Sequence, residues 1–216
     1  MVLNLDNFRF VIFDVERTLI NNQKIIGRML DLISRKKNYQ NLCKSRTGIK
    51  LLFPENICNF FTYLPWLTYF LDSLFLNFFN FFDRKRINFI NKGVDKVLFQ
   101  LNKRNCHLFA SSGNYTKKVV FLLEKTGIAN YFTLILGAEN IQKTEHIPYF
   151  ASLVGLPLEE FSRKSLFFGD MISDIIIGQR YGIYTVGVNY SIKMQSLLKN
   201  AGAKEVISNF EEVIII

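Results

Sequence analysis

Cysteine, histidine and proline are scarce in this chain of 216 residues, which has 3 Cys, 2 His and 4 Pro. The cysteines, at positions 43, 58 and 106, are widely spaced and form no Cys-x-x-Cys pair. This argues against a disulfide scaffold and against a Cys/His zinc site. With only 12 Gly, the chain also lacks the composition of a linker or a collagen-like repeat. No basic segment followed by a long apolar run opens the sequence, so we expect no signal peptide and a cytoplasmic location.

Acidic residues are fewer than basic ones: the chain has 18 Asp and Glu and 27 Lys and Arg, for a net charge of +9. Residues 19–86 hold 11 basic and four acidic residues, and therefore most of the excess. Such a region attracts phosphorylated substrates, nucleic acid or anionic membranes, or it is a solvated basic face. No zinc finger or aromatic-interleaved basic motif accompanies it, so we expect no nucleic-acid partner. An apolar content of 49% indicates a folded chain with a sizeable core.

Short apolar runs alternate with amphipathic segments along most of the chain. The predicted strands are 8–13, 106–110, 133–138, 165–169, 184–188 and 205–207. The predicted helices are 92–104, 115–126, 146–154, 173–181 and 191–200. Buried strands separated by helices are typical of an α/β fold with a Rossmann-like, mainly parallel sheet. Residues 21–86 interrupt the alternation, so we predict an α/β core of residues 1–20 and 87–216 with a helical insertion at 21–86.

An aromatic stretch lies within this insertion, at residues 57–82, with 11 aromatic residues and a single charge, Asp72. It is long enough to span a membrane, but Pro65 interrupts it. Polar residues recur after Pro65 at helical spacing: Thr68, Asp72, Ser73, Asn77 and Asn80. One polar stripe on an apolar helix indicates a mostly buried helix. The alternatives are a membrane-surface helix, with peripheral membrane contact through 57–86, and a homodimer face.

Polar side chains follow three of the predicted strands at their carboxyl ends. Asp14 and Glu16 follow the first strand, Ser111 follows the second, and Asp170 and Asp174 follow a later one. Ligands of parallel sheets bind outside these strand ends, so we expect the side chains to converge on one site. Clustered carboxylates repel each other and need a counter-charge. A hard divalent cation that takes oxygen ligands, Mg²⁺ above all, meets that need.

Four short motifs resemble, in order, those of the haloacid dehalogenase-like (HAD) hydrolase superfamily. Residues 14–18 (DVERT) are similar to its Asp-x-Asp-x-Thr motif, and Ser111 after LFA is similar to its second. Lys143 takes the place of the third-motif Lys, although Thr144 replaces the usual Pro. Residues 169–174 (GDMISD) match Gly-Asp-x-x-x-Asp in full. The resemblance covers residues 8–20 and about 92–210, and it implies a phosphatase-type member in which the insertion is a helical C1-type cap.

The resemblance also implies roles for individual residues. Asp14 would be the nucleophile that forms an aspartyl-phosphate, and Glu16 would be the general acid and base. Lys143 would neutralise charge at the nucleophile and the phosphate. The residues implied in phosphate binding are Ser111, with Ser112 as its alternative, Lys143, and Thr18, which would orient the motif loop. The residues implied in Mg²⁺ binding are Asp14, Asp170, Asp174 and, through its backbone carbonyl, Glu16.

Position 16 departs from the family pattern, because phosphatases of the family usually have Asp where this chain has Glu16. The extra methylene moves the carboxyl by roughly 1 Å, which matters at a catalytic site. Our first hypothesis is a Mg²⁺-dependent phosphohydrolase that acts on a small phosphorylated metabolite. The alternatives are a catalytically impaired HAD-like binding or regulatory protein, and a membrane-associated protein docking through 57–86. The metal-type motif at 169–174 argues against a metal-free dehalogenase.

Overall fold

The computed structural model describes residues 1–4, 7–21 and 89–216. All of them belong to one unit of the chain, Met1–Asn21 together with Asn88–Ile216. The predicted helical insertion, apart from its first residue, and the aromatic stretch at 57–82 lie outside the described residues. Both therefore stay predictions. Among the described residues, no helix combines the length and the apolar character needed to cross a membrane.

The described chain alternates strands and helices, as the sequence pattern predicts. The strands are β1 Val2–Leu3, β2 Phe10–Asp14, β3 His107–Ser111, β4 Leu134–Leu136, β5 Ser165–Gly169, β6 Tyr184–Val188, β7 Glu205–Ile207 and β8 Ile214–Ile215. The α-helices are α1 Val94–Lys103, α2 Thr116–Thr126, α3 His146–Leu153, α4 Leu158–Arg163, α5 Ile172–Arg180 and α6 Ile192–Asn200. Short 3₁₀ helices occupy Ala129–Tyr131, Lys143–Glu145 and Phe210–Glu212.

Six of these strands form one sheet in the order β4-β3-β2-β5-β6-β7, and every neighbouring pair is parallel. This confirms the predicted α/β fold with a mainly parallel sheet. The chain builds β3 and β4 on one side of β2 and then returns to place β5 on its other side. The carboxyl end of β2 is therefore a switch point of the strand order, which is where open α/β sheets bind ligands.

Aromatic side chains fill both faces of the sheet, which explains why its strands read as continuous apolar runs. On one face, Phe109 of β3 stacks on Phe150 of α3 with ring centroids 4.5 Å apart. On the other, Phe13 of β2 stacks on Phe168 of β5 at 5.1 Å, and Phe210 packs against that pair. The strand ends that carry the polar side chains are thus held by a core buried on both sides.

Besides the short 3₁₀ helices, one α-helix and one small sheet are absent from the sequence prediction. Helix α4 has only six residues and begins after Pro157, so it is too short to show a helical period. The two-residue strands β1 and β8 pair in parallel as a separate small sheet. That pairing joins opposite ends of the described chain, and no local pattern of residues announces it.

Candidate functional site

Five elements of the core bring the candidate residues together at the carboxyl edge of the sheet. Asp14 is the last residue of β2, and the strand register pairs it with Ser111, the last residue of β3. Asp170 directly follows β5, and Asp174 lies in the first turn of α5. Lys143 opens the 3₁₀ helix that precedes α3. The predicted convergence of the strand ends is thus observed in the structure.

Three buried carboxylates form the centre of the site. Asp14, Asp170 and Asp174 each offer one oxygen, and these oxygens all lie within 4.8 Å of one another. The buried Oδ2 of Asp14 accepts no hydrogen bond from any residue in the described part of the chain. Burial raises the pKa of Asp14 well above its usual range, and it raises that of Asp170 to about 6. Burial destabilises the ionised form of these acids, and an oxygen without a hydrogen bond is free to coordinate. A divalent cation is suited to this site because its charge stabilises the ionised carboxylates.

Lys143 is the counter-charge inside this cluster. Its ammonium donates hydrogen bonds to Oδ1 of Asp14 and, at 2.8 Å, to Oδ1 of Asp174. Burial alone would lower the pKa of Lys143, but the two carboxylates raise it above the ordinary value. The ammonium therefore stays charged beside Asp14, as the role implied for it requires.

Gly169 makes room for one member of the cluster. A Cβ at this position would overlap the side chain of Asp174, which packs directly against the end of β5. Oδ2 of Asp174 also accepts a hydrogen bond of 3.1 Å from the backbone N–H of Met171 and so caps the start of α5. The Gly-Asp-x-x-x-Asp spacing thus brings its two acids together around a residue that has no side chain.

The loop after β2 folds back on itself and is tied to the segment that returns from the insertion. The backbone N–H groups of Leu19 and Ile20 donate to the carbonyl of Val15. The side-chain amide of Asn91 donates to the carbonyls of Arg17 and Thr18, at 2.7 and 2.8 Å. The buried Thr18 hydroxyl makes no hydrogen bond to a described residue. The loop is therefore held through its backbone, and Asn91 is a support that the sequence analysis missed.

Glu16 is held by two polar side chains that follow β3. Its Oε2 accepts a hydrogen bond of 2.7 Å from the Ser112 hydroxyl, and its Oε1 accepts one of 2.7 Å from the Asn114 amide. Glu16 does not belong to the carboxylate triad, so its side chain is not among the grouped metal ligands. Ser112 therefore contacts the candidate acid and base, and Asn114 is a second partner that the sequence analysis missed.

Ser111 pairs with a buried histidine. The Ser111 Oγ lies 2.8 Å from Nδ1 of His146, and Nε2 of that ring lies 3.0 Å from the Ile141 carbonyl oxygen. A carbonyl oxygen can only accept a hydrogen bond, so Nε2 carries the ring proton. Nδ1 of the neutral ring then accepts a hydrogen bond from the Ser111 hydroxyl. Burial lowers the pKa of His146, which favours that neutral ring. The sequence analysis predicts a helix that begins at this residue but assigns the histidine no role.

Arg17 is the second cation of the site. Its Nη2 lies 3.0 Å from Oδ2 of Asp170, and its side chain is 46% exposed. It therefore lies nearer the solvent than Lys143, whose side chain is 17% exposed. The motif pattern treats position 17 as variable, so the sequence alone did not mark it.

Comparison with known proteins agrees with this geometry. The family model described as haloacid dehalogenase-like hydrolase matches residues 11–188. The chain is 25% identical over 212 residues to pyrophosphatase PpaX of Oceanobacillus iheyensis, covering 97% of both chains. It is 27% identical over 123 residues to phosphoglycolate phosphatase of Yersinia pseudotuberculosis, covering 56% of this chain and 52% of that protein.

A solved structure has the same fold. A haloacid dehalogenase-like hydrolase of Streptococcus pneumoniae superposes with a TM-score of 0.66 at 12% identity, over 95% of this chain and 96% of that one. At so low an identity the likeness concerns the fold alone, because one fold hosts many reactions. The chemistry must be argued from the side chains of the site.

Proposed function

Because this chain belongs to the haloacid dehalogenase-like hydrolase family, we propose that it is a Mg²⁺-dependent phosphohydrolase working through an aspartyl-phosphate on Asp14. One observation carries the proposal. Asp14 ends the central strand with one carboxylate oxygen on Lys143 and the other, Oδ2, unpartnered among the described residues. An oriented carboxylate with a free lone pair, next to a fixed positive charge, is equipped to attack an electrophilic phosphorus.

In the first step, Oδ2 of Asp14 attacks the phosphorus as the bond to the leaving oxygen breaks. The Lys143 ammonium offsets the negative charge that the nucleophile and the phosphoryl group bring together. Glu16 gives its proton to the leaving oxygen. Its carboxyl follows Asp14 by two residues and is held from both sides by Ser112 and Asn114, which supports a positioned rather than a mobile group.

In the second step, Glu16 takes a proton from a water molecule, whose oxygen attacks the phosphorus of the aspartyl-phosphate. The bond between phosphorus and Oδ2 breaks, phosphate leaves, and Asp14 regains its carboxylate. Glu16 thus ends the cycle protonated, as it began. One carboxyl serves both steps, and removing it should impair both.

Mg²⁺ fits the residues present. Asp14, Asp170 and Asp174 would hold it, with the backbone carbonyl of Glu16 as a further oxygen ligand. When bound, it would supply positive charge against the phosphoryl oxygens. Hard oxygen ligands that are buried, close together and short of hydrogen bonds support this assignment.

The substrate that we propose is a small phosphorylated metabolite. The relatives' names, a pyrophosphatase and phosphoglycolate phosphatases, support small substrates with a phosphoryl group. Residues 21–86 would form a helical C1-type cap, and Ser111, Ser112 and Thr18 would line the phosphate subsite with Lys143. A cytoplasmic location belongs to the same proposal, and the free thiol of Cys106 agrees with it.

Hydrolysis of phenyl phosphate with Mg²⁺ tests the proposal. We expect Asp14→Asn to lower kcat by roughly a thousandfold or more, because the nucleophile is lost. Asp95→Asn is the matched control, since Asp95 is an exposed acid in the first turn of α1. It should leave kcat within about twofold of wild type. An equal loss in both variants, or an inactive wild-type protein, would contradict the proposal.

Glu16→Asp belongs in the same assay, because it restores the acid that phosphatases of the family usually carry. If Glu16 acts as proposed, the wild-type protein hydrolyses phenyl phosphate with Glu at position 16, and activity does not require replacement by Asp. An inert wild type and an active Glu16→Asp variant would instead identify a chain in which the longer side chain has impaired turnover.

A further inference from the structure

Arg17 has a backbone conformation that is unusual for its type. Its φ is 66°, in the left-handed region, where the Cβ of an L-residue is crowded. Among the described residues, the one other non-glycine with positive φ is Asn105, a type that tolerates this region. Glycine would make the same turn without strain. The backbone therefore does not account for arginine at position 17, and the side chain is the feature to explain.

The Arg17 side chain reaches the carboxylate cluster from its solvent side. Its Nη2 lies 3.0 Å from Oδ2 of Asp170, whose side chain is 3% exposed, whereas that of Arg17 is 46% exposed. The guanidinium therefore extends from a buried carboxylate to the outer rim of the site. Residue 17 also lies between Glu16 and Thr18, so its backbone belongs to the loop that carries the proposed acid and base.

The two cations of the site differ in what they can still bind. Lys143 lies inside, with its ammonium on two carboxylates of the cluster. Arg17 pairs with one carboxylate among the described residues and carries five N–H donors in a planar fork. A fork of this shape matches the paired oxygens of a phosphate or a carboxylate. The outer cation is thus suited to an anion that approaches from solvent.

We propose that Arg17 binds a second anionic group of the substrate, next to the phosphoryl group that is transferred. This inference rests on the proposed function and narrows its substrate class. The preferred substrates are small phosphate esters or anhydrides that carry another phosphate or a carboxylate a few bonds away. Arg17 is then a specificity-determining residue, and its charge compensates for the strain of its backbone.

Arg17→Gly tests this role, because glycine suits the left-handed turn and removes only the side chain. The assay compares kcat/KM for pyrophosphate with kcat/KM for phenyl phosphate, which has no second anionic group. Losing a charge-assisted hydrogen bond should lower the ratio of the two at least about tenfold. Arg17→Lys keeps the charge but not the planar pair of N–H donors. Its ratio of kcat/KM values should lie between those of wild type and Arg17→Gly.

Arg104→Gly is the matched control. Arg104 is an exposed residue that follows α1 and precedes β3, so it lies toward the amino edge of the sheet, away from the site. The same substitution there removes the same charge and should leave the substrate ratio within about twofold of wild type. An unchanged ratio in Arg17→Gly, or an equal fall in Arg104→Gly, would overturn the inference.

A binding measurement separates this inference from the proposed function. By calorimetry, wild type should bind methylenediphosphonate, which is not hydrolysed, more tightly than inorganic phosphate, and Arg17→Gly should lose most of that preference. Preference without hydrolysis of any phosphate would support the role of Arg17 and contradict the proposed function. Hydrolysis of phenyl phosphate without any such preference would support the function and overturn the role of Arg17.

Discussion

At the scale of single residues, two serine hydroxyls, one at the end of β3 and one directly after it, already donate their protons to hydrogen bonds. Ser111 donates to the neutral ring of His146, and Ser112 donates to Glu16. A phosphoryl oxygen is an acceptor and needs a donor. Phosphate at Ser111 must therefore compete with Nδ1 of His146 for one proton. Giving up a buried hydrogen bond costs about 1–3 kcal/mol, more than fixing one serine rotamer, so the competition should dominate.

Two amide substitutions of His146 separate the halves of its ring. In His146→Gln the longer amide reaches the position of Nε2, keeps the contact with the Ile141 carbonyl and leaves Ser111 without its acceptor. In His146→Asn the shorter amide oxygen takes the position of Nδ1 and keeps that acceptor. At pH 8 we expect inorganic phosphate to inhibit the Gln variant at about tenfold lower concentration than wild type. The Asn variant should resemble wild type.

The opposite order of inhibition constants would contradict the competition between phosphate and His146 for the Ser111 hydroxyl. Weaker phosphate binding in His146→Gln than in His146→Asn would mean that His146 orients Ser111 for phosphate and does not compete with it. Thermal unfolding of both variants is the control, because a loss of fold would lower binding in each.

Sequence patterns identify residues whose type and spacing the chemistry constrains. They miss residues whose role depends on a three-dimensional contact or on the local backbone conformation. Asp14 and Asp170 come together as predicted because each directly follows a predicted strand, and Lys143, which only the family resemblance marked, joins them. The partnership of His146 with Ser111 joins residues 35 positions apart, and no spacing rule relates them. The left-handed backbone of Arg17 is equally invisible, because arginine is not a type that signals positive φ.

At the scale of elements, the end of β5 and the start of α5 form one unit with the metal-type motif. Gly169→Ala would drive a methyl group into the Asp174 side chain. Because Asp174 also caps α5 through the Met171 N–H, it cannot retreat without breaking that bond. We expect urea denaturation to show a loss of about 1–3 kcal/mol in the free energy of unfolding, as for other overpacked sites. Hydrolysis of phenyl phosphate should fall with it.

Gly113→Ala is the matched control for this substitution. Gly113 lies in the loop after β3, and a Cβ there would meet no atom within 4 Å. Its free energy of unfolding should stay within about 0.5 kcal/mol of wild type. Equal losses in the two variants would show that the contact with Asp174 is not what lowers the stability of Gly169→Ala.

Most elements were predictable, because they are long enough to show an apolar run or a helical period, whereas α4, β1 and β8 are too short to do so. Strands β5, β6 and β7 begin and end where the apolar runs do, at Ser165–Gly169, Tyr184–Val188 and Glu205–Ile207. The helices differ from prediction by one or two residues at their ends, where caps decide the boundary. What the sequence could not show was the order of the strands, because pairing depends on contacts between distant segments.

At the scale of the fold, the site is a region in which burial of carboxylates lowers the stability of the folded state. The aromatic core on both faces of the sheet holds the strand ends in place, and the acids collect at its carboxyl edge. Burial raises the pKa of Asp170 to about 6 in spite of Arg17. The charged form of Asp170 is therefore less stable in the folded protein than in the unfolded one, and its ionisation destabilises the fold.

Asp170→Asn should for this reason stabilise the metal-free protein. In EDTA at pH 8 we expect its free energy of unfolding to exceed that of wild type by about 1–3 kcal/mol, from a shift of roughly two pKa units. The penalty is fully present above the folded pKa of about 6. It disappears below the unfolded pKa of about 4, where the acid is protonated in both states. The advantage of Asn should therefore shrink between pH 6 and pH 4.

Added Mg²⁺ should reverse the order of the two proteins. A ligand that binds the folded state alone stabilises it by about 4.1 kcal/mol at a thousand times its dissociation constant, which exceeds the advantage of the variant. Wild type should gain this stability and Asp170→Asn should not, because the variant has lost a carboxylate ligand. Asp95→Asn, with its exposed side chain, should follow wild type throughout. Lower stability of Asp170→Asn in EDTA would mean that its pairing with Arg17 outweighs burial, and the site would then stabilise the fold instead of straining it.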